Sequence, residues 1–341
     1  MENTRNYYQS LPKVDLHRHL EGSLRLKTML EIARSGGITV PINTGPLSNL
    51  VQVQKSEPST FQNFLAKFST LRLFFRSPEV IYRITREAVE DAALDNVRYL
   101  ELRFTPVALS RAEHFALGDV MDWVCDSARS AAREFGVKVG LIVSVNRHEI
   151  VELAEQVAWL AASRLNKGLV GLDLAGNEAE FPAGPFASIF REARQAGLKV
   201  TIHAGEWGGP GNVREALELF KADRIGHGVR VVEDPSAVAL ARERGAAFEV
   251  CVTSNYQTGV SPSLQRHPLM KMLEDGLYIT IGTDDPSISQ ITLSDEYQRA
   301  CEELGMTRLT LKERILAAAR AGFLPEAERK KLVEELKKDL N

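Results

Sequence analysis

Two histidines, His17 and His19, sit one residue apart at the end of a short apolar run near the start of the chain. Side chains alternate along a strand, so a His-x-His pair turns both imidazoles to one face, where they can share a cation. Other chemistry-bearing residues also fall just after apolar runs. His203 is followed by Glu206, His227 stands between two glycines, and Asp284 and Asp285 are adjacent. Four of the seven histidines lie at such run ends. Each signal alone is modest: a strand-end histidine is often an ordinary surface residue, and an aspartate pair often caps a turn. Their convergence on run ends is what makes a metal site the sharper reading.

The ligand set this suggests is His17, His19, His203 and Asp284. Three neutral imidazoles and one carboxylate suit one Zn2+ per subunit, with a coordination position left for water. An open position marks a catalytic site, because a bound divalent ion lowers the pKa of its water toward about 7. Glu206 is then placed as a general acid beside the cation. His227 can orient or deprotonate the water and stabilise developing charge. Alternation turns Asp285 away from Asp284 and toward substrate. Gly176 leaves its backbone N–H open to a flat ring at close approach. His114, His148 and His267 sit in loop or helix contexts and are read as having no chemical role.

Eight runs read as buried strands: 14–16, 97–104, 137–145, 169–174, 198–202, 222–225, 247–251 and 277–281. They are rich in Val, Ile and Leu, mostly without alternation, as in parallel sheets covered on both faces. Helical spacing fills the gaps at 77–94, 119–135, 149–165, 186–196, 213–220, 235–244 and 268–275. This β-then-α order predicts a TIM (β/α)8 barrel, an α/β fold whose active site lies at the C-terminal ends of the strands. Extra helices are expected between strands 1 and 2 and at the C-terminus. The insertion, about 23–76, contains a helical segment at 60–73 with Phe61, Phe64, Leu65 and Phe68 on one face. That stripe is either core-facing or the apolar face of a lid closing over a flat ligand. The tail, about 307–341, reads as two helices, the last a solvated Lys/Glu-rich face.

The 341 residues are 44% hydrophobic and 26% charged, enough for a large core, and read as a single hydrolase domain spanning 1–341. A net charge of -3 without a basic stripe argues against a nucleic-acid polymer as partner. No segment has the length and apolarity of a membrane span or a secretory signal. The three cysteines form no CxxC pair, which fits neither a disulfide framework nor a thiolate metal site. The expected compartment is the cytoplasm; the oligomeric state stays open.

At these residues the sequence resembles the adenosine deaminase family of the amidohydrolase superfamily, from Leu11 to about Tyr297. The matching pieces are LPKVDLHRHLEGSLR from Leu11, DLAGNE from Asp173, TIHAGEWGGP from Thr201, RIGHGVR from Arg224, CVTSNYQTGV from Cys251 and GTDDPSIS from Gly282. The resemblance implies hydrolytic removal of the 6-amino group of a purine nucleoside, with zinc-activated water adding at C6. It implies that Glu206 protonates ring N1, His227 and Asp284 flank the water, Asp285 contacts N7 and the Gly176 backbone contacts N3. His19 borders the substrate as well as the metal, and Phe61, Phe64 and Leu65 line a hydrophobic entrance. Cytidine-deaminase-like zinc enzymes need H-x-E with P-C-x-x-C, which this chain lacks.

Glu21 stands where many adenosine deaminases carry an aspartate that contacts the sugar 5′-hydroxyl. Relatives acting on 6-aminodeoxyfutalosine or free adenine also carry glutamate here, so a 5′-modified adenosine or free adenine are the alternative substrates. The run from Ser254 to Gly259 looks like the nucleoside type. Val252 and Gly282 also replace the more usual Pro and Asn without touching a proposed ligand. A metallohydrolase of phosphoesters or amides would often use a second metal and a bridging lysine, which is not evident. A barrel kept only for binding would have lost a ligand or the acid, and none is missing.

Overall fold

The computed structural model describes residues 4–35 and 37–340. Eight strands carry the site: β1 (Lys13–His19), β2 (Val97–Phe104), β3 (Lys138–Asn146), β4 (Leu169–Ala175), β5 (Lys199–His203), β6 (Arg224–Gly226), β7 (Ala247–Val250) and β8 (Tyr278–Ile281). They pair in sequence order, all parallel. The seam closes just past β8, where Asp284 N–H donates to the His17 carbonyl at 2.7 Å and His19 N–H donates to the Asp284 carbonyl at 2.8 Å. The expected (β/α)8 barrel is therefore present, and its closing stitches are made by backbone of the predicted metal ligands.

Helices follow the strands because their apolar faces cover the sheet. Ser77, the expected start of Pro78–Leu94, accepts a hydrogen bond from Val80 N–H, and proline stands in the first turn. Between β1 and β2 lie Leu26–Ser35, Thr44–Val51 and Phe61–Leu71. This insertion is pinned to the turn after β8: Val53 N–H donates to the Ile288 carbonyl, and the Gln52 amide donates to the Ser287 carbonyl. Short helices directly after strands, such as Val252–Gln257, carry too few turns to show a period.

The tail forms Arg308–Ala321 and Glu326–Leu340. The last helix is not the wholly solvated face expected: Leu332, Val333, Leu336 and Leu340 are buried on one side. At the floor of the barrel, the Phe323 ring lies 3.5 Å from the Arg224 guanidinium. Among the described residues no helix is long and apolar enough to cross a membrane.

Candidate active site

The imidazole donors of His17, His19 and His203 lie within 4.8 Å of one another. Asp284 Oδ1 lies 3.3 Å from Nε2 of both His17 and His19. All four predicted ligands thus meet at the rim where β1, β5 and β8 end. His17 Nδ1 faces Glu249 Oε2 at 2.8 Å, and His203 Nδ1 faces Asp173 Oδ1 at 2.9 Å. Each carboxylate accepts a hydrogen bond from Nδ1–H, which leaves Nε2 as a bare lone pair, the arrangement that supports a ligating histidine. His17 Nε2 is buried with no hydrogen-bond partner. The donor set and this orphaned nitrogen fit one divalent cation.

His227 lies in the same cluster, its Nε2 3.8 Å from Asp284 Oδ2 and 3.6 Å from Glu206 Oε2. Its other nitrogen gives it a different role. Leu269 N–H donates to His267 Nδ1, so His267 carries its proton on Nε2. That proton goes to Asn255 Oδ1, at 3.2 Å, which turns the Asn255 amide so that Nδ2 donates to His227 Nδ1 at 3.1 Å. His227 is therefore held with its proton on Nε2, facing Glu206 and Asp284. It is a donor into the site, whereas the ligand histidines present lone pairs. His227 and Asp284 also hold left-handed backbones, φ 57° and 61°, a strained state for residues with a side chain.

Glu206 is buried, and burial first, then the Asp284 and Glu178 carboxylates, push its carboxyl pKa well up. Glu178, at the end of the DLAGNE stretch, accepts from the backbone N–H of Gly205 at 2.9 Å and of Glu206 at 2.5 Å, fixing the loop that carries Glu206. Asp285 is buried, with Oδ1 unpartnered. A Cβ on Gly22 would come within 1.8 Å of that oxygen, so only glycine at 22 lets Asp285 stay in place. Gly176 lines the cavity with φ 93°, a backbone that a side chain would strain. Glu21 is buried beside Asp285, with Oε1 accepting from Thr105 N–H at 2.7 Å and Oε2 unpartnered.

These residues border one cavity at the rim of the barrel. Of the expected apolar entrance, Phe64 and Leu65 line it, joined by Phe68. Phe61 does not: one turn earlier on the helix, it stacks on Trp207, centroids 5.0 Å apart, and Trp207 lines the cavity in its place. His19, Glu21, Gly176, His203, Glu206, His227, Asp284 and Asp285 all reach the cavity, while His17 lies beneath it. The sequence reading gave no role to Asp173, Glu178, Glu249, Asn255, Arg72 or His267. Asp173, Glu178 and Asn255 stood inside motifs whose pattern could have flagged them. A lone Glu249 in a strand has no spacing to read.

Over residues 12–339 the chain matches the family model described as adenosine deaminase. Adenosine deaminase of Klebsiella pneumoniae (strain 342) is 37% identical over 332 residues, covering 96% of this chain and 98% of that protein. Among solved structures, an adenine deaminase from Arthrobacter aurescens superposes with TM-score 0.88 at 25% identity, covering 96% of this chain and 98% of that one. An amidohydrolase from Burkhoderia ambifaria with bound Zn also superposes at 0.88, with 27% identity, over 100% of this chain and 95% of that one.

Proposed function

The chain belongs to the adenosine deaminase family and is a hydrolytic deaminase acting on C–N bonds; we propose that it converts adenosine and 2′-deoxyadenosine to the inosine products and ammonia, using Zn2+ held by His17, His19, His203 and Asp284. The observation that carries this reading is the contrast among the four rim histidines: lone pairs held toward one point at His17 and His203, an N–H held toward it at His227. When bound, the cation supplies a water acidified to near neutral pKa.

The chain's own residues do the rest. Glu206, buried beside Asp284, holds a proton and gives it to purine N1, so the ring accepts water at C6 without building negative charge. The His227 Nε2–H donates to the oxygen arriving at C6, in a site where preformed dipoles need no reorganisation. Asp285, pinned by Gly22, faces N7, and the Gly176 backbone faces N3; together they orient the ring. Glu21 keeps Oε2 free for a sugar hydroxyl. Phe64, Leu65 and Phe68 cover the base and exclude water. Favouring a nucleoside over free adenine is the run from Ser254 to Gly259, of which Ser254 and Thr258 line the cavity.

The test is a panel of adenosine, 2′-deoxyadenosine and adenine on the purified zinc-loaded enzyme, followed by the ultraviolet change on losing the 6-amino group. Both nucleosides should be deaminated, activity should vanish on chelation and return with zinc, and adenine should be far slower. Preferred turnover of adenine, or activity indifferent to chelation, overturns the reading.

A further inference from the structure

The helix that carries Asn255, Val252–Gln257, has six residues, too few to hold its own place. Ser254 on it and Thr258 at its end line the cavity, and Asn255 aims the His227 proton into the site. Its first turn is held from elsewhere in the chain. Glu296 stands on the helix Leu293–Glu302, beyond the Asp284–Asp285 turn, and is fully buried. Thr253 N–H donates to both of its carboxylate oxygens, at 3.1 and 3.2 Å, and the Thr253 hydroxyl donates to one of them. Val252, which replaces the more usual proline, adds an N–H that helps to hold the charge. Arg299 donates to Thr253 Oγ1 at 2.9 Å, which leaves the hydroxyl proton for Glu296.

These donors all point at the carboxylate, so the cluster fits an ionised glutamate, which only accepts. A proton on Glu296, or the amide of a glutamine, sets donor against donor and lets the first turn shift. The charge is not there for stability. Burial, the largest influence, pushes the Glu296 carboxyl up to about 7, against the Thr253 hydrogen bonds and Arg299, which pull it down. The Cys251 thiol, which also feels Glu296, is kept protonated by its own burial. The folded value lies above the unfolded one. The stability tied to Glu296 is therefore fully present below about pH 4.5 and is lost as pH rises through about 7. At neutral pH the ionised group weakens the fold slightly and keeps the helix in place.

We propose that ionised Glu296 is a positioning residue for deamination: through Thr253 it fixes the first turn of Val252–Gln257, and with it the Asn255 amide that aims the His227 N–H. Glu296 touches no reacting atom. His227 donates to the oxygen arriving at C6 in the deamination proposed above, so this step rests on that reading.

The test compares zinc-loaded wild type, Glu296→Gln, Thr253→Val and Thr253→Ser on adenosine at pH 8 and pH 6. At pH 8 Glu296→Gln should lose about 10-fold in kcat, the scale of a charge-assisted hydrogen bond, with KM changed far less. Thr253→Val should show part of that loss, and Thr253→Ser, which keeps the hydroxyl, should stay near wild type. At pH 6, where a carboxyl of pKa about 7 is mostly protonated, the gap between wild type and Glu296→Gln should narrow to about 2-fold. At pH 8 Glu296→Gln should melt no lower than wild type. Amide exchange over 252–257, read by mass spectrometry without substrate, should quicken in Glu296→Gln and, less, in Thr253→Val. Wild-type kcat in Glu296→Gln overturns the proposal. So does a loss that is equal at both pH values or matched by a lower melting temperature, since either makes Glu296 merely structural. If wild type does not deaminate adenosine, the parent reading falls. Amide exchange then still decides whether Glu296 places this helix: quickened exchange supports it, and unchanged exchange overturns it.

Discussion

The floor of the barrel and its rim both bury charge, and they treat it in opposite ways. In the floor, Arg224 pairs with Glu101 and Glu249, and Arg103 reaches Glu249 at 2.7 Å and Asp173 at 3.5 Å. At the rim, His17 Nε2, Glu21 Oε2 and Asp285 Oδ1 are buried without partners, and two residues hold left-handed backbones. An unsatisfied buried polar atom costs roughly 1–3 kcal/mol. The floor meets most of that cost with protein partners, and the Arg103 Nε and Nη1 that lack a hydrogen bond there still lie between the Glu249 and Asp173 carboxylates; the rim leaves it for a cation and a substrate to meet. Charge in the floor therefore serves stability and charge at the rim serves chemistry, and single substitutions can separate the two.

The largest effect should come from Glu206→Gln. It keeps shape and removes the proton donor, so kcat should fall by roughly 10²–10⁴. Zinc content by atomic emission and the melting temperature should stay as in the wild type. A variant that loses zinc or melts early would show that rim charge also holds the fold.

Glu249 joins the two regions, since Oε2 meets both His17 Nδ1 and Arg103. Glu249→Gln should cost both currencies: about 3–5 kcal/mol of stability in denaturant unfolding, from two buried guanidinium groups that each lose one of their two carboxylates, and roughly 10- to 100-fold in zinc affinity. Loss of only one would mean that floor and rim are not coupled through this carboxylate. Asp285→Asn is a purely rim change. It should lower kcat/KM for adenosine by about 10-fold, the scale of one hydrogen bond to a buried group, with zinc content intact. Equal loss of zinc would mean that Asp285, not Asp284, reaches the metal.

The rim was far more legible in sequence than the floor. His17, His19, His203 and Asp284 share a residue type and a position after apolar runs, and that repetition is a pattern. The eight strands were legible for a similar reason, since burial on both faces leaves few polar residues to break the runs. β1 was read too short because Lys13 and His17 bound its apolar run, although both are buried. Glu249, Arg103 and Arg224 are ordinary charged residues along the chain. Only the closure of the barrel, which puts β2, β6 and β7 around one interior, makes them partners. Phe61 was misplaced because a helical stripe shows which face is apolar but not where along it the cavity ends. The packed stripe of Glu326–Leu340 was hidden by the lysines and glutamates around Leu332, Val333 and Leu336.

His267 tests the boundary between the two regions, with the smallest expected effect. It is buried like a floor residue, and burial pushes its pKa down to about 3. Yet through Asn255 it sets the proton of a rim residue. Because the folded value lies below the unfolded one of about 6.5, the stability tied to neutral His267 is fully present above pH 6.5. It drains away as pH falls toward 3, because the unfolded chain takes up the proton first. Between pH 7 and pH 5 this one group should withdraw about 2 kcal/mol from the wild type. His267→Gln keeps an amide donor near the Nε2 position and cannot titrate. Its stability should fall by about that much less over the same interval in urea unfolding. Its kcat should drop only about 2- to 10-fold, one hydrogen bond's worth of control over His227. A matching acid slope in both proteins would put the proton uptake elsewhere, and unaltered kcat would show that His227 keeps its tautomer without the relay.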